Sequence, residues 1–223
     1  MRTYRVLVAC ERSGVVRTAF RALGHDAWSN DLVPADDGSP FHIQGDAIQA
    51  AYSGKWDIII AHPECTYLAN SGAKHLYAGM KAENGPEPER WAKMGAAAQF
   101  FLLLLNAPAP MVCVENPVML GHPKRLIGIP EPSQTIQPWQ FGHGETKATC
   151  LWLRGLPLLR PSEVVSGREQ KVFRMVPGPN RKRLRSMTFE GIARAMAVQW
   201  GSVTNHGSKP ETHLGNVTLR RAA

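Results

Sequence analysis

Cysteine is scarce in this chain of 223 residues: four, at positions 10, 65, 113 and 150. No two lie close enough for a Cys-x-x-Cys zinc or redox pair, and four are too few to staple a domain of this length. Reduced thiols are therefore expected, each either a small apolar filler or a nucleophile. His25, His42, His62, His75, His122 and His143 have no metal-ligand spacing, so no metal is expected. Long apolar runs are missing too. The longest, Phe100 to Leu105, is far short of the roughly 20 residues that a membrane span needs. The opening MRTYRVLVAC passes straight into a strand-like run, without the apolar stretch and cleavage site of a secretory leader. A cytoplasmic protein is expected, with no membrane partner. Repeats and low-complexity tracts are absent, and 43% hydrophobic against 20% charged residues excludes wholesale disorder.

Acidic charge is also in short supply. The net charge is +8, and it is unevenly spread. Between Arg160 and Arg194 stand nine Lys/Arg against three Asp/Glu, including the run Arg181-Lys182-Arg183-Leu184-Arg185. Such concentration suits a polyanion, with nucleic acid the first candidate. A merely solvated basic face is the alternative.

The N-terminal half alternates strand and helix patterns. Tyr4–Ala9, His25–Ser29, Asp57–Ala61 and Met111–Val114 read as strands, and the third is apolar on both sides, as the centre of a parallel sheet requires. Ser13–Leu23, Ala47–Tyr52 and Glu89–Asn106 read as helices, with a long connection over 62–88. This order predicts an α/β fold: a doubly wound, mostly parallel, Rossmann-like sheet. Residues 117–147 show no clear period. Thr149–Leu153 reads as a strand, 160–188 as a basic loop, and Phe189–Trp200 as a final amphipathic helix. Four regions are expected: a cofactor-binding and catalytic core over 1–117, a small substrate-recognition region over 118–188 with return strands, a helix packed on the core over 189–201, and a polar tail over 202–223.

In open α/β sheets, ligands bind beyond the carboxyl ends of the strands. After the first strand come Ala9, Cys10, Glu11, Arg12, Ser13 and Gly14, a tight turn without G-x-G-x-x-G, so a dinucleotide is not favoured. Ser13 could equally be a plain helix cap. Asp31 ends the second strand, where an acid can accept from ribose hydroxyls, and Gly45-Asp46 offers a carboxylate for an amino group. Together they suit an adenosine-containing ligand. After the Ile58–Ala61 run come His62-Pro63-Glu64-Cys65, with the thiol at the mouth of the sheet. After Met111–Val114 come Glu115-Asn116-Pro117. A carboxylate leaving a buried strand is poorly solvated, and its pKa is expected to rise.

This ordered series resembles the S-adenosylmethionine-dependent DNA cytosine-5 methyltransferases, and within them the short phage-type members. The resemblance covers roughly residues 4–201. It also takes in Gln137-Pro138-Trp139-Gln140-Phe141-Gly142-His143, Thr146-Lys147, Cys150–Leu153, and Gly191–Ala193 through Gln199–Gly201. It implies S-adenosylmethionine as cofactor, held by Ala9, Cys10, Glu11, Ser13, Gly14, Asp31, Asp46 and Pro63. It implies Cys65 as nucleophile, Glu115 and Asn116 as its catalytic partners, and DNA, duplex or single-stranded, as substrate. Arg174, Arg181, Lys182, Arg183 and Arg185 are the candidate nucleic-acid contacts. A phage origin would put the protein in the host cytoplasm. The chain departs from the pattern in its sparse glycines, in Pro117, in a short recognition region of about 70 residues, and in Glu64, where the family has a second proline. A carboxylate beside a thiol raises its pKa, which His62 would offset by pairing with Glu64 or Cys65. Three alternatives stay open: methylation of an exocyclic amine, action on a free nucleotide or single strand, and a catalytically weakened nucleic-acid-binding paralogue.

Overall fold

The structure, a computed structural model, describes residues 2–203. The polar tail expected over 202–223 therefore lies almost wholly outside the described residues. The elements run β1 (Arg5–Ala9), α1 (Val15–Ala22), β2 (Asp26–Asp31), β3 (His42–Gln44), α2 (Ala47–Ser53) and β4 (Ile58–Ala61). Three 3₁₀ turns between Asn70 and Asn84 lead to α3 (Pro88–Leu105) and β5 (Met111–Pro117). Then come α4 (Gly121–Ile127), β6 (Gln134–Ile136), β7 (Thr149–Arg154), α5 (Lys171–Arg174), α6 (Arg181–Ser186) and α7 (Glu190–Trp200).

All seven strands join one sheet in the order β3-β2-β1-β4-β5-β7-β6. The first five are parallel, and β7 runs antiparallel to both of its neighbours. The fold is thus the expected α/β, Rossmann-like sheet. Its strand alternation divides two cores. Leu7, Ala9, Ile59, Ala61, Val112 and Val114 face the α2–α3 side, where Phe101 meets Trp152 edge-on at 4.9 Å. Val6, Val8, Ile58, Ile60, Met111 and Cys113 face the side covered by α1 and α7. Gly191 lets α7 close in: a Cβ there would stand 1.8 Å from the Phe141 carbonyl oxygen.

The structure corrects several expectations. The segment without period, 117–147, contains α4 and β6, and the basic loop of 160–188 contains α5 and α6. Strand β3 also went unforeseen. These elements have three to seven residues, too few for a period to repeat. His143 accepts from the Gly191 N–H at 3.0 Å and tilts against Phe189, so its ring braces α7.

Candidate active site

From β1 the chain winds outward through β2 and β3; from β4 it winds the other way. The two directions part at the carboxyl ends of β1 and β4, the place where open α/β sheets bind their ligands. Cys10 turns the chain there with φ of 58°, an uncommon conformation for a residue with a side chain. The His62 amide bonds the Ala9 carbonyl at 3.0 Å, and the Glu11 amide bonds that of Asn30 at 2.8 Å, so three strand exits are tied together. The Cys10 thiol is pushed up to about 12, first by burial and then by the charges of Asp31 and Asp46. The two acids named from sequence thus flank the same turn. Asp46 also caps α2, accepting from the Gln49 amide at 2.9 Å.

Glu11 behaves otherwise than expected. Its carboxylate turns inward, is 4% exposed, and accepts from the Val16 and Arg17 amides at 2.7 and 3.2 Å. Ser13 does not cap α1. Gly14 occupies that position without a side-chain bond, and Glu11 satisfies the helix amides instead. Gly14 sits at φ of 70°, where any Cβ would overlap the guanidinium of buried Arg17. Arg17 in turn bonds Ser29 Oγ at 2.9 Å and pairs with Asp37.

Cys65 is partly buried and lines a cleft of about 720 Å³. Asn116, 1% exposed, donates from Nδ2 to the Pro63 carbonyl at 3.0 Å and so ties the thiol loop to β5. Burial raises the Cys65 thiol, and the charges of Glu115 and Glu64 push the same way; Lys147 opposes them, and the net shift is upward.

Glu115 reverses an expectation. Burial alone would raise its carboxyl, but the hydrogen bond and charge of His62, helped by Lys147, hold it below the usual range. The bond joins His62 Nδ1 and Glu115 Oε2 at 2.9 Å. His62 therefore pairs with neither Glu64 nor Cys65. Glu64 instead accepts from Lys182 at 2.6 Å and from Thr66 Oγ1 at 2.8 Å. The position of Lys147 had a weak sequence signal, the Thr146-Lys147 pair, which said nothing of its charge acting on Cys65 and Glu115.

The basic residues divide by partner. Arg181 and Arg185 line the Cys65 cleft, facing Arg90, Lys93 and His75 from the 3₁₀ turns and α3. Arg90 anchors that wall through the Thr66 carbonyl at 2.6 Å and lies 4.4 Å over the Tyr67 ring. Lys182 is committed to Glu64, and Arg183 to Asp36 at 2.7 Å, an acid that also holds Arg12. Arg174 ends the short, exposed α5.

Five buried side-chain polar atoms lack a partner among the described residues, and three of them, Asn30 Oδ1, His62 Nε2 and Asn116 Oδ1, sit at or just beyond the carboxyl ends of β2, β4 and β5. Orphans of this kind collect where a polar ligand belongs. Asp31 and Asp46 stand beside the same turn as further acceptors for such a ligand. No group of His, Cys, Asp and Glu among the described residues could hold a metal ion. Nor is any described helix long and apolar enough to cross a membrane.

No family model matches the chain, and no curated protein matches it by sequence. Solved structures are similar. A candidate DNA modification methyltransferase encoded within an E. coli prophage aligns with 78% of this chain and 56% of its own, at 12% identity and a TM-score of 0.47. EhMeth, a methyltransferase of Entamoeba histolytica, aligns with 80% and 61%, at 13% identity and 0.44. The S. pombe Dnmt2 methyltransferase aligns with 78% and 54%, at 14% identity and 0.39. The chain thus spans little more than half the length of these structures. Values this low carry no argument, and the chemistry must come from the chain's own residues.

Proposed function

We propose that the protein is a DNA methyltransferase that transfers a methyl group from S-adenosylmethionine to C5 of cytosine through a covalent adduct on Cys65. One observation carries this: the thiol lines an open cleft while Glu115 and Asn116, leaving the neighbouring strand, bond the same loop through His62 and Pro63 at 2.9 and 3.0 Å. The cofactor would be held at the β1 turn by Ala9, Cys10, Ser13 and Gly14, with Asp31 and Asp46 as acceptors and Pro63 just beyond β4. When bound it supplies an electrophilic methyl group.

Cys65 as thiolate adds to C6 of a cytosine turned out of its stack. Glu115 gives a hydrogen bond or proton to N3, so negative charge does not build up on the ring. Asn116 keeps the thiol loop at a fixed height above β5. Once C5 is methylated, its proton is lost to a base and the bond from sulfur to C6 breaks. Turning the base out costs a few kcal/mol, which phosphate contacts from Arg181 and Arg185 offset.

Incubation with 5-fluorocytosine duplex and S-adenosylmethionine is the direct test. A covalent protein–DNA adduct is expected, absent in Cys65→Ser. Methyl transfer to an exocyclic amine without an adduct, or salt-dependent binding with no transfer, would replace this mechanism by one of the alternatives.

A further inference from the structure

Glu115 poses a chemical problem. An ionised carboxylate only accepts hydrogen bonds, and Glu115 is held ionised by its neighbour. The task at N3 calls for a donor. The missing proton has one nearby source. His62 Nδ1 lies 2.9 Å from Glu115 Oε2, and both side chains are nearly buried, 9% and 14% exposed. The residue is also held by its backbone. Its own amide is tied to Ala9, and the following residue, Pro63, is buried and held through its carbonyl by Asn116. The other ring nitrogen, Nε2, is buried without a partner, so the Glu115 bond is the only one the ring makes among the described residues.

We infer, on the reading of Glu115 as the group facing N3, that His62 and Glu115 share one proton and that His62 is the positioning residue that returns it to Glu115 when a base covers the pair. The proton has two resting places. One is His62 Nδ1, favoured while water is near, and the other is Glu115. A base seated in the cleft excludes that water, and two buried charges then cost more than two neutral groups. The Nδ1–H bond breaks, a Glu115 O–H bond forms, and the net charge of the pair is unchanged. The carboxylic acid then donates to N3 as the Cys65 sulfur bonds to C6. When the sulfur leaves, the proton returns by the same path. Three other groups face the pair and bias it. Glu11, from the turn after β1, interacts with His62. Lys147, from the segment before β7, interacts with Glu115 and with Cys65, and Cys65 shares the loop of His62. Lys147 favours the carboxylate form of Glu115 and so opposes the transfer until the base arrives.

Single-turnover adduct formation on 5-fluorocytosine duplex, measured across pH, tests this. A shared proton is lost with an apparent value that belongs to the pair and to neither residue alone. In His62→Gln the alkaline fall in rate should therefore change its position in pH, because it then reports Glu115 without the partner that holds its carboxyl down. A rate lowered equally at every pH, with the profile unmoved, would make His62 a mere scaffold and overturn the proposal. The unaltered protein gives a second measurement. The ¹⁵N signals of the His62 ring should pass from imidazolium toward imidazole when the duplex and cofactor bind, and a ring that keeps its protonation refutes the transfer. If the unaltered protein forms no adduct and transfers no methyl group, the function proposed above fails first and takes this inference with it. An adduct in both proteins with identical profiles sinks this inference alone.

Discussion

Glu64 and Lys182 stand 118 positions apart in the chain and meet at 2.6 Å. The carboxylate next to Cys65 in the chain is thereby neutralised from the basic segment. The lysine bond, then that of Thr66, holds the Glu64 carboxyl below its usual range. Both side chains are more than half exposed, so the pair contributes less than about 1 kcal/mol to stability. What it changes is the field at Cys65, whose thiol Glu64 helps to raise.

Lys182→Ala should therefore slow adduct formation at saturating DNA by about threefold, because Glu64 then raises the thiol unopposed, while the melting temperature barely moves. Adding Glu64→Gln should restore the rate. A depressed carboxyl stabilises above its unfolded value of 4.5 and loses that contribution as pH falls through its lower folded value. The link between α6 and the thiol loop should accordingly persist at neutral pH and open only in acid, as amide exchange in α6 would record.

Glu11 carries the opposite sign. Its carboxyl is raised, chiefly by burial, so stability falls as pH climbs from the usual 4.5 toward the folded value. Glu11→Ala removes the acceptor for two helix amides and should cost about 1–2 kcal/mol in urea unfolding at pH 7. The same variant should lack that stretch of the pH dependence. A pH–stability curve identical in both proteins would mean that the carboxylate is not buried as described.

Arg181 and Arg185 line the cleft, whereas Lys182 and Arg183 are already engaged with carboxylates. Replacing both cleft arginines with alanine should weaken duplex binding and reduce the slope of log K against log salt by about two. The Lys182 and Arg183 pair, replaced together, should change the slope less. Equal effects would erase the distinction between the two faces of α6.

Much of the fold was readable because β1, β4 and β5 are apolar on both faces and α3 and α7 are long enough to repeat a pattern. Strands β3 and β6, three residues each, carry no such signal. Position at a strand exit likewise singled out Asp31, Cys65, Glu115 and Asn116. Charge state was beyond reach, because it depends on distant partners. The carboxyl of Glu115 answers to a histidine 53 positions away, and that of Glu64 to a lysine in another region. Glu11 looked like a ligand-facing acid because local sequence cannot tell an outward carboxylate from one folded under the helix that follows it.

The bonds from Asp36 to Arg12 and Arg183, and from Glu64 to Lys182, mean that this molecule brings its own counter-anions. A phosphate reaching α6 displaces a tethered carboxylate rather than a dissolved ion, and a tethered ion is not diluted by changing the buffer. If DNA binds as proposed, salt titrations should thus count fewer phosphate contacts than the complex makes, because the freed carboxylates of Asp36 and Glu64 take up cations from solution.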